Sequence, residues 1–304
     1  MTMNIQRIFL LTIIFLFIII TVVGCSKSDV DTNINRTDAP TPKQTDPPEE
    51  IDLPENPNFK IYCFAAGKAD AFLLMSENGT VLIDAAEKSF GKEIVAYIDD
   101  AGIDHIDYLI ITHFDKDHVG GAGKVIDTVP VSNVLQSNSP KDSGQYETYI
   151  SALEYAQIEP ITVSETYTFE LDGILYVIDP PREESYEHSP SNNSSLVVSA
   201  TNGNNTFLFA GDVENDRIKE FLSDHSDHYD FLKVPYHGNW QKQLDDLINA
   251  VNPDYAVITS SAKEPEDKRT TEFLSAKGVK TFLTRSAGVL VQSDGEMISV
   301  QYMD

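Results

Sequence analysis

Hydrophobic and polar positions divide the chain into three stretches. Ile8–Val23 is an almost unbroken apolar run behind one basic residue, Arg7. Residues 26–57 hold six prolines and few large apolar side chains. From residue 58 onward, short β-rich runs alternate with segments of helical period. Strands are expected at Phe59–Phe64, Ala71–Met75 and Thr80–Ile83, the last two joined by Glu77-Asn78-Gly79, a strong hairpin signal. Ser89–Ala101 reads as a helix, with Ile94, Tyr97, Ile98 and Ala101 on one face and Gly102 at its end. A buried strand at Tyr108–Thr112 follows, then a short helix from Gly120-Gly121 to Ile126, a strand at Val131–Gln136 and a helix at Tyr146–Ala156. The second half repeats this order. Strands are expected near 166–170, 174–179, 195–200 and 205–210, and a helix at Glu214–Leu222. Then come a strand at Asp230–Val234, a helix at Gln241–Val251, a strand at Tyr255–Ile258 and a helix at Lys268–Lys277. Closing strands fall near 280–283, 287–292 and 296–301. Strands followed by helices, twice, predict an α/β chain with two mixed sheets face to face and helices outside, a four-layer αββα sandwich.

The first stretch is too short for an ordinary membrane span and suits the apolar core of a secretory signal. It ends in Val22-Val23-Gly24-Cys25, which resembles the bacterial lipobox. That resemblance implies cleavage before Cys25, acylation of its thiol and an extracytoplasmic, membrane-anchored lipoprotein. More than one acyl chain is needed for stable anchoring. The other reading of the segment is an uncleaved anchor helix. The domains expected are therefore a signal peptide at 1–24, an acidic Pro-rich linker at 25–57 and one globular domain at 58–304. The linker cannot bury enough surface to offset its ordering entropy and serves as a spacer.

Charge and cysteine content narrow the function. The chain carries a formal −26, and residues 58–304 hold 40 acids against 18 bases, a net of −22. This opposes broad adhesion to nucleic acid or anionic lipid, though not a local basic groove. With Cys25 acylated, only Cys63 remains as a thiol, so no intrachain disulfide can form and the core must stabilise the domain.

The densest chemistry is in Ile110-Ile-Thr-His-Phe-Asp-Lys-Asp-His-Val-Gly-Gly121. His113, Asp115, Asp117 and His118 leave the end of an apolar strand within six residues, where a rigid scaffold can aim them. Imidazole with carboxylate suits Zn, Mn or Fe better than Ca. If the loop is extended, 113, 115 and 117 point to one side and 118 turns back, feeding two adjacent metal positions. The competing reading is a solvated polar loop.

His113-x-Asp115-x-Asp117-His118 resembles the H-x-[H/D]-x-D-H signature of the metallo-β-lactamase fold superfamily. Val81-Leu82-Ile83-Asp84, Phe209-Ala210-Gly211-Asp212 and Val234-Pro235-Tyr236-His237-Gly238 resemble its supporting segments, in the right order. Within the superfamily, Gly67-Lys68-Ala69-Asp70-Ala71, Asn192-Asn193-Ser194-Ser195-Leu196 and Leu232-Lys233-Val234 resemble the hydrolase domain of competence DNA-uptake (ComEC-like) proteins, here as a stand-alone lipoprotein. The resemblance implies one or two divalent metal ions, zinc or manganese. One position would be served by Asp117, His118, Asp212 and His237. The second would be served by His113, Asp115 and Asp212, and is depleted, because the place of a further histidine falls on Asn192. His188 lies close enough in sequence to stand in for it. Asp117 would orient the attacking water, and Asp84 would fix the tautomer of a ligand histidine from behind.

The substrate implied is a phosphodiester, a nucleotide or nucleic acid. A small non-phosphate ester, a lactam, or a non-catalytic metal-binding surface module are the alternatives. Among the remaining groups, His225 and His228 read as a polar loop or a metal tract, and Trp240 as a pocket wall or a helix start. Lys233 and Arg285 read as anion contacts or solvated cations, His105 as an exposed turn residue, and Cys63 as a buried apolar group.

Overall fold

Period-2 burial in β1 (Phe59–Cys63), buried-exposed-buried-intermediate-buried, marks a strand with one face on a core. It pairs antiparallel with β2 (Phe72–Met75), which turns at Glu77-Asn78-Gly79 into β3 (Thr80–Ile83), with Ser76 N donating to Gly79 O at 2.9 Å. The computed structural model describes residues 53–303. The signal segment, Cys25 and the linker up to residue 52 lie outside the described residues.

After β3 the chain crosses through α1 (Gly91–Asp100) to a parallel β4 (Ile106–Ile111), then through α2 (Lys116–Val119) and α3 (Ala122–Ile126) to β5 (Val131–Gln136). α4 (Gly144–Ala156) leads to a two-residue β6 (Ile161–Thr162). The second sheet is built from β7 (Tyr167–Leu171), β8 (Ile174–Asp179), α5 (Pro190–Asn193), β9 (Val197–Asn202) and β10 (Asn205–Phe209). It continues with α6 (Asn215–Asp224), β11 (Phe231–Lys233), α7 (Leu244–Val251), β12 (Tyr255–Ile258), α8 (Lys268–Ala276) and β13 (Lys280–Leu283). β14 (Val289–Ser293) and β15 (Ile298–Tyr302) then return to the first sheet beside β1. The strand orders are β15-β14-β1-β2-β3-β4-β5-β6 and β13-β12-β11-β10-β9-β8-β7, each part parallel and part antiparallel.

Three cores define four layers. Ile61, Leu74, Val81 and Ile110 meet Ile178, Val198, Phe207 and Phe231 between the sheets. Leu73, Leu82 and Leu109 turn outward onto Ile94, Ile98, Val125 and Tyr149 of the first helical layer. Leu208, Leu232 and Ala256 turn onto Ile218, Leu247 and Leu274 of the second. The αββα sandwich expected from the sequence is the observed architecture. Alternate residues of one strand serve two cores, which is why so many strands read as continuous apolar runs.

Local departures have local causes. The helix starting at Lys116 was not anticipated, and neither were α5 and β6. Such short elements carry too little periodicity to read. Gly120 and Gly121 are required by packing, since a Cβ at either would sit 2.2 Å from a backbone carbonyl, of Lys116 and Ala85 respectively. Among the described residues, no helix is long and apolar enough to cross a membrane.

Candidate metal centre

The site forms where parallel strands of both sheets end on one edge of the sandwich. β3 delivers Asp84, β4 delivers Thr112 and His113, β10 delivers Asp212, β11 delivers His237 and β12 delivers Thr259. Asp70 enters from the residues before β2. The backbone is bent to allow this. Asp84, Tyr236 and His237 adopt left-handed φ values of 57°, 50° and 52°. Such conformations cost of order 1–3 kcal/mol each in a non-glycine residue and collect at functional sites.

The loop after β4 is not extended throughout. Asp115 keeps an extended backbone (φ −69°, ψ 150°) and precedes the helical turn Lys116–Val119. Asp117 and His118 thus leave from a helix rather than from an alternating strand, which corrects the expected geometry while still gathering the same side chains. His118 is fully buried, and His113 and His237 are buried to 2% exposure.

Every one of these imidazoles is pinned through Nδ1. His118 Nδ1 lies 2.7 Å from Asp84 Oδ2. His237 Nδ1 lies 2.9 Å from Thr259 Oγ1, whose own proton goes to Asp70 Oδ1 at 2.6 Å. A hydroxyl has one proton, so the imidazole must donate to Thr259. Thr112 Oγ1 likewise gives its proton to Asp84 Oδ2 at 2.7 Å, so at 3.3 Å it can only accept from His113 Nδ1, while Ser195 Oγ, also 3.3 Å from that nitrogen, can donate or accept. A proton held on Nδ1 leaves Nε2 as the nitrogen able to ligate a metal once its own proton is lost. The Nε2 atoms of His113, His118 and His237 are buried and have no hydrogen-bond partner.

They face carboxylates. Asp212 Oδ2 is 3.4 Å from His118 Nε2 and 3.1 Å from His237 Nε2, and Asp117 Oδ2 is 3.4 Å from His237 Nε2. Ligands about 2.1 Å from a tetrahedral ion stand roughly 3.4 Å from one another. His113, His118 and Asp212 form a group able to hold an ion, with His113 Nε2 3.9 Å from Asp115 Oδ1. The residues present fit a divalent metal.

Electrostatics argues the same way. Burial pushes His237 down, but Asp212, Asp117 and Asp70 outweigh it and raise it to about 9. His118 is raised well above its ordinary value against its burial, chiefly by Asp212, Asp84 and Asp70. His113, buried and beside His118, falls to about 4 and stays neutral. Asp212 is held well below the carboxylate range despite burial by His237, His118 and Lys233. Carboxylates this dense draw cations or protons, and a divalent ion must displace the protons to bind.

Three residues that sequence reasoning left out of the site belong to it. Asp70 and Lys233 are both fully buried and form an ion pair across the two sheets. Lys233 Nζ also donates to Gly211 O at 2.6 Å and lies 3.3 Å from Asp212 Oδ1. It is therefore neither a solvated cation nor an anion contact. Its signal was a lysine inside the apolar run Phe231–Val234, since lysine is almost never fully buried unless paired. Asp70, His118 and His237 are close enough to suggest a separate metal group. Their contact, however, is on the Nδ1 side, already filled by Asp84, Thr259 and Lys233. The third, Lys141, pairs with Asp115.

Other candidates lie elsewhere. His188 is 77% exposed and turns to Asp216 at 3.6 Å. His225 stacks on Phe221, with ring centres 4.4 Å apart. His228 sits near Asp230 and Asp254, but Asp230 Oδ2 is already bound by Thr206 N at 2.7 Å. Trp240 neither walls the site nor starts α7. It packs on α8, edge-on to Phe273 and under the Arg269 guanidinium. Arg285 pairs with Glu266 at 3.0 Å, His105 is exposed beside Asp104 and Asp107, and Cys63 is buried with its thiol pushed up by burial.

Residues 66–260 match the model of the Metallo-beta-lactamase superfamily. Among curated proteins, the chain is 26% identical over 178 residues to ComE operon protein 3 of Bacillus subtilis (strain 168), covering 56% of this chain and 22% of that protein. It is 24% identical over 244 residues to competence protein ComA of Neisseria gonorrhoeae, covering 78% of this chain and 32% of that one. The chain thus spans a third or less of the length of these relatives. Among solved structures, the metallo-beta-lactamase fold protein YhfI from Bacillus subtilis aligns with a TM-score of 0.54 at 10% identity, over 81% of this chain and all of that one.

The site as built makes a selective demand. His118→Ala and His237→Ala should each lower metal occupancy about tenfold or more, by the measure of lost metal-site contacts, while His225→Ala leaves it unchanged. Metal analysis of the three purified variants decides this. Equal loss in all three contradicts the assignment.

Proposed function

The chain belongs to the metallo-beta-lactamase superfamily, and on that premise we propose that it is a metal-dependent hydrolase of phosphodiester substrates. The observation that carries this reading is the convergence of the buried Nε2 atoms of His118 and His237 on Asp212 and Asp117, with His113 Nε2 beside Asp115. Asp117, His118, Asp212 and His237 would hold one ion, and His113 and Asp115 with Asp212 line the place of a second. Nitrogen and oxygen donors together suit zinc or manganese. When bound, such an ion supplies an acidified water and Lewis-acid polarisation of the acceptor oxygen.

The chain's own residues do the rest. Asp117 has a side chain 21% exposed, so it reaches the mouth of the site while facing His237. There it can accept a hydrogen bond from water and so orient it. Asp84, Thr112, Thr259 and Asp70 hold the imidazoles in one tautomer and one orientation. Lys68, 5.8 Å from the Tyr236 ring centre, and Lys141 on Asp115 add positive charge near the site for an anionic substrate. The motifs that resemble the hydrolase domain of competence DNA-uptake proteins support a phosphodiester substrate. The net −22 of residues 58–304 favours a short phosphodiester over a long nucleic-acid tract.

With bis(p-nitrophenyl) phosphate as substrate, Asp117→Ala should reduce turnover roughly 10²- to 10⁴-fold. An unchanged rate contradicts the site, and faster hydrolysis of the lactam nitrocefin than of the diester contradicts the substrate class.

We place this activity outside the cytoplasmic membrane, on a lipid anchor at Cys25. Cells fed a labelled fatty acid should incorporate it into the wild-type chain and not into Cys25→Ser. Label retained by the variant contradicts the anchor.

A further inference from the structure

Asp115 stands in the signature where a metal ligand is expected, yet its contacts are those of an ion pair. Lys141 Nζ and Ser191 Oγ both converge on Asp115 Oδ1. A carboxylate oxygen has two lone pairs, and two donors occupy them. This same oxygen faces His113, 3.9 Å from Nε2. The Asp115 oxygen nearest His113 is therefore already taken by two donors, one of them an ammonium.

Two other side chains near the position are turned elsewhere. Asn192, twenty residues before Asp212, donates its amide to Glu214 Oε1 at 2.8 Å. The exposed His188 ring turns toward Asp216. An ammonium fixed on Asp115 also repels any second divalent ion beside His113. The four residues of the other position show none of this. Asp117, His118, Asp212 and His237 stand 3.1 to 3.4 Å apart along the contacts they share, and no lysine occupies the oxygens facing the imidazoles. Lys233, the one lysine on Asp212, takes Oδ1 and leaves Oδ2 facing inward.

We propose that Lys141 is a built-in cation that takes the place of the second metal ion, so that the chain holds one divalent ion tightly and not two. The inference deepens the hydrolase reading above and rests on it. Lys141 is 39% exposed, on the segment between β5 and α4, with its ammonium at the edge of the site. A substrate anion bound at the single ion meets a fixed positive charge there instead of an exchangeable one. The substrate class this favours is a monoanionic diester, whose one charge is met without a second dication.

The test is metal stoichiometry, independent of turnover. The full chain, purified in mild detergent, is dialysed to equilibrium against a series of free Mn²⁺ concentrations, and metal per chain is measured by mass spectrometry. Wild type and Lys141→Arg should hold one ion. Lys141→Met should gain a second, bound roughly tenfold or more tighter than any second ion in wild type. Lys141→Met with Asp115→Asn should fall back to one. Circular dichroism checks that each variant is folded. Two ions held with similar affinity by wild type, or one ion only in folded Lys141→Met, overturns the proposal and leaves the hydrolase reading standing. No ion in wild type overturns both.

Discussion

The structure turns on which nitrogen of each imidazole carries the proton. Asp84 and the Thr259–Asp70 pair take the Nδ1 protons of His118 and His237, and Thr112 and Ser195 serve His113. That decision is made by buried oxygens, where an unmade hydrogen bond is costly. Its consequence lies on the opposite side of each ring, where three buried Nε2 atoms face a space bordered by carboxylates. Release any one pin and the ring is free to rotate, and the inward nitrogen is no longer fixed.

The fold exists in the form that makes this possible. Two mixed sheets bring the ends of β3 and β4 from one layer to the ends of β10, β11 and β12 from the other. The buried ion pair of Asp70 with Lys233 ties these ends together across the sheet boundary. Losing one partner of such a pair strands a buried charge, at a cost of about 3–5 kcal/mol. Lys233 also fixes which oxygen of Asp212 looks inward. Stability and chemistry are coupled here through one side chain.

Much of this was legible in the sequence. The alternation of β-rich runs with helical segments implied four layers, because each strand's two faces had to be covered. The cluster at 113–118 announced its chemistry by density alone, and the motifs at Asp84, Asp212 and His237 fell in order behind it. What could not be read was reciprocity. Lys233 reads as an anion contact or a solvated cation because nothing in the linear order says that Asp70, in the loop before β2, will meet it. Lys141 lies in a polar stretch, Asn138-Ser139-Pro140-Lys141-Asp142, that resembles any solvated turn. Its pairing with Asp115 depends on how β5 ends in space. The turn at Lys116 was missed because four residues are too few to display a helical period.

The most direct test of the central claim is where a metal sits. Crystals equilibrated with Mn²⁺ or Zn²⁺ and measured at the absorption edge of that metal should show an anomalous peak about 2.0–2.2 Å from His118 Nε2, His237 Nε2 and a carboxylate oxygen of Asp212. A peak confined to the Nδ1 side, beside Asp70 and Lys233, or found only at His228, Asp230 and Asp254, would contradict the account.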